Sequence, residues 1–399
     1  MARRPRTKVQ CLVHPHIDPI PASRGEAFAR DALGEVMMHT LMRSGAALVA
    51  LMVAGGASAL TCGANNGWTC QGTATQYAGG FSPGVGYGGF GGATACTATK
   101  TPVIFLHGNG DNAISWDMPP ATVAGYTPPP NSVYDEFRAN GYKDCELFGV
   151  TYLSSSERSS PQSNYHQPSK YTILNTFIDK VLAHTGATKV DIVAHSLGST
   201  MALAALDYGA KWGKVRRFVN IAGGLRGIYS CLYTGAANPY ATTCGSENWY
   251  NSDIFGFYPG GYSVSYYNVW TGSGSGSLRA LPALATGVSF YTIAAGAHDQ
   301  VGCSSYTYWS GCDLMSKFNT ASNVKAQLMV GAGSTAGSVD WNWQDGSPYQ
   351  TGGGDLSNGV GHFRAKTNTG VILQRMLSTT CTTGCATGYV GVYGPVATY

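Results

Sequence analysis

Charge is scarce in this chain: Asp, Glu, Lys and Arg make up 12% of its 399 residues. The formal net charge of +4 also overstates the balance. Residues 1–59 carry seven basic and four acidic residues, which leaves 18 against 17, a net of +1, for the rest. Such a surface has no basic field to gather nucleic acid or an anionic membrane. Long apolar runs are missing too. The stretch Gly45 to Gly56 is too short to cross a bilayer, so no integral membrane association is expected. The cysteines include no C-x2-C pair and no Cys/His cluster, which argues against zinc. No metal and no cofactor are expected. There is no internal repeat and no low-complexity linker, so the chain does not read as an array of modules.

Glycine (54) and tyrosine (24) are abundant instead, a loop-rich, uncharged polar composition suited to an exported protein. Arg43, the apolar run after it and Ala57-Ser58-Ala59 have the order of a secretory signal peptide. The expected division is an upstream extension or long leader over 1–36, a signal peptide over 37–59, and a mature chain from Leu60. Translation would then start at Met37, Met38 or Met42. Ten of the 11 cysteines lie beyond residue 60, an even number that reads as disulfides in an exported chain. Sequence leaves their connectivity open. Pairing neighbours is simplest: Cys62 with Cys70, Cys96 with Cys145, Cys231 with Cys244, Cys303 with Cys312, and Cys381 with Cys385.

Residues 60–100 lack helical period and read as an irregular segment. From Thr101 strand and helix patterns alternate. Strands are expected over Pro102–Leu106, Glu146–Tyr152, Lys189–Val193, Val215–Ile221, Val288–Ala294 and Val324–Val330. Helices are expected over Ser132–Asn140, Tyr171–His184, Ser199–Leu206 and Gly370–Leu377. This rhythm predicts an α/β fold: a mostly parallel central sheet with helices on both faces. Residues 229–270 break it with twelve aromatics and only two charges, Glu247 and Asp253. We read 60–399 as one catalytic domain carrying this insertion.

Ala194-His195-Ser196-Leu197-Gly198 ends one predicted strand and opens a helix. Small residues two before and two after a serine let strand and helix pass closely, so that the turn thrusts the hydroxyl outward. The usual first glycine is Ala194 here, still small. A serine needs a histidine to take its proton and an acid to orient that histidine. In α/β-hydrolases the order along the chain is serine, acid, histidine. His362, after the last strand, fits as base, with His298 its rival. Asp299, after the Val288–Ala294 strand, fits as acid; Asp313, Asp340, Asp345 and Asp355 are alternatives. His195 is held beside the serine inside the elbow, and its ring is not expected to reach Ser196. The oxyanion hole would use the backbone N–H of Leu197 and that of Asn109 in His107-Gly108-Asn109-Gly110.

Longer runs carry a resemblance. They are Gln76 to Phe81, Gly86 to Gly92, His107 to Ser115, Phe148 to Ser156, Ala194 to Gly198 and Gly359 to Phe363. Over Leu60–Tyr399 the chain resembles the secreted lipase-like poly(3-hydroxybutyrate) depolymerases that attack native, amorphous polymer. The resemblance implies a single α/β-hydrolase domain, Ser196, Asp299 and His362 as nucleophile, acid and base, and Asn109 and Leu197 as oxyanion donors. Leu197 stands where the family has methionine, but this residue donates through its backbone. The family binds polymer through surface aromatics; Tyr165, Trp249 and Tyr250 are the candidates here. The expected protein is an extracellular monomer with a hydrophobic polyester as its partner. A secreted triacylglycerol lipase or carboxylesterase would use the same triad with a different pocket. A non-catalytic polyester-binding protein is the reading from another class.

Overall fold

The computed structural model describes residues 76–93, 97–120, 129–164, 166–225, 267–268, 273–274, 284–296, 299, 301–302, 315–330 and 361–379. All of them fall within one compact unit, Gly55–Tyr399. The leader, most of the 229–270 insertion, Tyr165, Trp249, Tyr250, His298 and the alternative acids lie outside the described residues.

Among the described residues, eight strands form one sheet. They are β1 (Gln76–Tyr77), β2 (Gly89–Gly91), β3 (Val103–Leu106), β4 (Leu147–Val150), β5 (Val190–His195), β6 (Val215–Ile221), β9 (Ser289–Ala294) and β10 (Val324–Met329), in the order β1-β2-β4-β3-β5-β6-β9-β10. A separate short pair, β7 (Tyr267–Asn268) and β8 (Ser273–Gly274), is antiparallel. The six strands from β4 to β10 in the sheet are parallel. β2 pairs antiparallel with β4, and β1 pairs parallel with β2. β1 and β2 correct the expectation of an irregular segment before residue 100. Glycines at both ends of β2 leave it no alternating side-chain pattern, so its strand character comes from pairing with β4.

Alternation along the strands splits the apolar side chains between two cores. Ile104, Leu106, Ile192, Phe218 and Phe290 face one side, beneath α3 (Pro168–Thr185) and α4 (Leu197–Tyr208). Val103, Phe105, Val193, Val219 and Ile293 face the other, beneath α1 (Val133–Ala139) and a C-terminal helix, Gly370–Ser378. Helices therefore cover both faces, as the βα rhythm predicts. Local chemistry sets their ends. Ser132 caps α1 by accepting the Asp135 N–H at 3.0 Å. Pro168 opens α3, and Gly186 closes it at φ 69°.

The register matters most for function. Leu106 pairs with Val150 and with Ala194, Ala194 with Asn220, Ile221 with Ile293, and Ala294 with Met329. The C-terminal ends of the parallel strands are thus level, and the segments after β3, β5 and β9 meet at one edge. Ligands of open α/β sheets bind at that edge. Cys145 is disulfide-bonded; every other cysteine lies outside the described residues.

Candidate active site

Ser196 sits between β5 and α4 with φ 53° and ψ −125°. A non-glycine residue in this region carries strain of roughly 1–3 kcal/mol, which the surroundings must hold. Three bonds do so. Ser196 N–H donates to Ile221 O at 2.9 Å, Ser199 N–H to Ser196 O at 3.0 Å, and Ser199 Oγ to Ala194 O at 2.8 Å. Gly198 is required by close approach: a Cβ there would collide with the His107 carbonyl and lie 2.9 Å from that of Leu106. A Cβ on Gly108 would lie 2.8 Å from His195 Nδ1 and 3.1 Å from Ser196 Cβ. The loop after β3 is therefore pressed against the elbow.

The structure brings Ser196, His362 and Asp299 together from three segments. His362 Nε2 lies 2.9 Å from Ser196 Oγ. His362 Nδ1 lies 3.1 and 3.0 Å from the two oxygens of Asp299. Asp299 Oδ1 also accepts the N–H groups of Val301 and Gly302, each at 2.9 Å. That carboxylate favours the tautomer with the proton on Nδ1 and leaves the Nε2 lone pair to take the serine proton. The three residues are 6%, 2% and 1% exposed, so the relay works in a medium where charge is poorly screened.

Leu197 is the first residue of α4, and its N–H is one of the orphan donors of a helix N-terminus. Among the described residues no acceptor takes the N–H of Leu197 or of Asn109. The Asn109 side chain anchors its loop. Nδ2 donates to Pro161 O at 2.9 Å, and Oδ1 accepts from Asn164 Nδ2 at 2.6 Å. His107 is fixed below it: the Tyr152 N–H donates to Nε2 at 3.2 Å, so Nδ1–H donates to Gly108 O at 2.8 Å. Burial lowers the His107 pKa to about 4 and keeps the ring neutral.

Sequence reasoning kept His195 away from Ser196, as the structure does, but did not foresee its partner. Its ring does not serve Ser196; Nε2 lies 2.9 Å from the backbone carbonyl of His362 and donates to it. Burial first, then the neighbouring His362 and Lys366, hold its pKa well below the ordinary value, so the ring is neutral. Sequence reasoning also missed Asp111, Ser115 and Lys366, a buried group beside the relay. Burial raises the Asp111 pKa, but the Lys366 ammonium and other partners outweigh this and hold the carboxyl below its usual range. Asp111 and Lys366 are 255 positions apart, a separation that no motif spans. Among the described residues there is no cluster of three or more His, Cys, Asp or Glu able to hold a metal, and no helix is long and apolar enough to cross a membrane.

The sheet, the elbow and the three-residue relay are those of an α/β-hydrolase. The family described as Lipase (class 2) matches residues 100–257, from before β3 to beyond the elbow. Among solved structures, the chain is similar to the Bacillus licheniformis lipase BlEst2 in its propeptide form. Identity is 12% and the TM-score 0.42, over 76% of this chain and 55% of that one. It thus spans little more than half of that lipase. It is also similar to the carboxylesterase CesB (YbfK) from Bacillus subtilis, at 12% identity and TM-score 0.32, over 72% of this chain and 86% of that one. A third is the lin2722 product of Listeria innocua, at 11% identity and TM-score 0.36, over 73% and 98%.

Proposed function

We propose that the chain is an extracellular serine esterase that cleaves the ester bonds of poly(3-hydroxybutyrate). The observation that carries the esterase chemistry is the continuous path from Ser196 Oγ through His362 to Asp299. Ser196 Oγ attacks the ester carbonyl while His362 Nε2 takes its proton. Asp299 stabilises the imidazolium that forms. The negative oxygen of the tetrahedral intermediate is received by the N–H groups of Leu197 and Asn109. His362 then gives that proton to the departing alkoxide oxygen, which leaves as an alcohol and leaves an acyl group on Ser196. Water, deprotonated by the same histidine, releases a hydroxybutyrate oligomer or monomer.

The polymer substrate rests on the sequence resemblance and on the aromatic stretch 229–270. Export is supported by the Arg43–Ala59 pattern and by the disulfide-bonded Cys145. The second reading, a secreted triacylglycerol lipase or carboxylesterase, is favoured by the match to the lipase family.

Purified protein, with Ser196→Ala as control, should be given native poly(3-hydroxybutyrate) granules and a triglyceride emulsion in parallel. Clearing of the granules with little release from triglyceride is expected. The reverse preference would move the assignment to lipase, and inertness toward every ester would end both readings. N-terminal sequencing of exported protein should begin at Leu60.

A further inference from the structure

A buried ion pair lies beside the relay without touching it. Lys366 stands four residues after His362, in the turn Arg364–Thr367 that we label α5. Its ammonium meets Asp111 Oδ2 at 2.6 Å and Ser115 Oγ at 2.8 Å. It also lies 5.6 Å from the centre of the buried Trp116 ring. Asp111 stands two residues after Asn109, in the loop following β3. Its other oxygen accepts the Asn112 N–H at 2.8 Å. The side chains of Lys366 and Asp111 are 6% and 12% exposed.

The pair joins the loop that presents the Asn109 N–H to the turn that presents His362. α5 is bound to the base by its backbone: Ala365 N–H donates to Gly361 O at 3.0 Å, and Lys366 N–H to Phe363 O at 3.1 Å. A shift of Lys366 therefore carries His362 with it. Buried ion pairs are often no more stabilising than apolar residues of equal volume. What they impose is a fixed distance and direction between two segments. The pair is also nearly neutral as a unit, which matters beside the ionisable groups around it: His107 just after β3, His195 on β5, Arg158 on a short helix, α2 (Ser155–Ser159), and His362, four residues before Lys366.

We propose that Asp111 and Lys366 are positioning residues that latch the oxyanion loop to the base-bearing turn and so set the distance between the Asn109 N–H and His362 Nε2. The proposal rests on the esterase reading above. Such a latch acts on the transition state and leaves substrate binding alone. Its loss lowers kcat, leaves KM in place, and weakens a boronic acid inhibitor, whose tetrahedral adduct on Ser196 uses the same donors, in parallel with kcat/KM.

The test uses the full mature chain and a small soluble ester, with active sites counted by a fluorophosphonate. Single replacements bury an unpaired charge, so the main variant is the double Asp111→Asn, Lys366→Met. We expect kcat per titrated site to fall roughly 10- to 100-fold, as misplacement of about an ångström does, with KM unchanged and boronic acid affinity reduced. Lys366→Arg, which keeps the cation, should recover most of the rate. Wild-type kcat per titrated site in the folded double variant would overturn the proposal. So would a loss explained wholly by fewer titratable sites. If the double variant does not fold, Ser115→Ala decides: it removes the hydroxyl that accepts from Lys366 and lies 2.8 Å from Asp111 Oδ2, keeps both charges, and an unchanged kcat would overturn the latch. A wild-type protein without esterase activity would overturn the underlying reading instead, so the two failures are distinguishable.

Discussion

His195 and His362 are joined through a ring nitrogen and a backbone carbonyl, 2.9 Å apart. The residue just before the nucleophile thereby holds the main chain of the base, while Asp299 holds the base's ring. Ser196 and His362 are 166 positions apart, and this contact ties elbow and base loop independently of the proton relay. Replacing His195 by Phe keeps a ring of similar size but removes the donor to that carbonyl. A neutral hydrogen bond contributes about 1 kcal/mol. We expect kcat to fall by about tenfold or more, with a modest drop in Tm. An unchanged kcat on a soluble ester would show that the base loop holds itself.

The relay makes a graded prediction. Ser196→Ala should lower kcat by roughly a millionfold, leaving only binding and oxyanion effects. Asp299→Asn keeps the contact but reverses the favoured tautomer of His362, and should cost on the order of 10⁴-fold. Both proteins should unfold near the wild-type temperature. Comparable activity in either purified variant would remove that residue from the mechanism.

Gly198→Ala tests the close passage of α4 over the end of β3. The added methyl collides with the carbonyl of His107, and backbone cannot swing aside as a side chain can. Overpacking of this kind costs about 1–3 kcal/mol or more. Melting should show a clear destabilisation with loss of activity, because the same carbonyls border the oxyanion loop. Wild-type Tm in this variant would mean that strand and helix can separate at no cost.

Asp117 should make stability fall between mildly acidic and neutral pH. Its carboxyl is buried beside Asp135 and accepts the Ser132 hydroxyl at 2.6 Å. Burial, the largest cause, raises its pKa to about 7 despite that bond. An acid whose folded pKa is raised binds its proton more tightly in the folded state. Its contribution is fully present below the unfolded pKa, near 4, and is lost as pH rises through about 7. Asp117→Asn keeps the acceptor oxygen without the charge. It should raise Tm at pH 8 by the equivalent of a few kcal/mol at most, and have little effect near pH 4. Equal shifts at both pH values would rule out titration of this group.

Polymer adsorption should be separable from cleavage. Aromatic side chains offer large apolar faces with a polar edge that tolerates water. Under the proposed function, replacing Trp249 and Tyr250 with alanine should weaken adsorption to polymer and spare cleavage of a small soluble ester. Tyr165→Ala should act in the same direction. Parallel losses on both substrates would make these side chains structural.

Most of the sheet was legible because its strands are buried on both faces and read as apolar runs. The helix expected over Ser132–Asn140 forms over Val133–Ala139, with those two residues as its caps. β1 and β2 escaped because glycine carries no pattern. The elbow was readable as a local motif, and chain order pointed to Asp299 and His362 ahead of their rivals. Distance, tautomer and burial were not readable. Pairing of His195 with the His362 carbonyl, and of Asp111 with Lys366, has no sequence signature, because neither partner's neighbourhood names the other.

By itself, then, the sequence determined the alternation of strands and helices, the serine on its turn and the candidates for its partners. These follow from side-chain periodicity and local steric rules. Only the tertiary structure decided which histidine faces Ser196, what His195 does instead, and which charges stand beside the relay. Those outcomes depend on level strand ends bringing together segments far apart in the chain, and the register that levels them is set by the packing of the whole sheet.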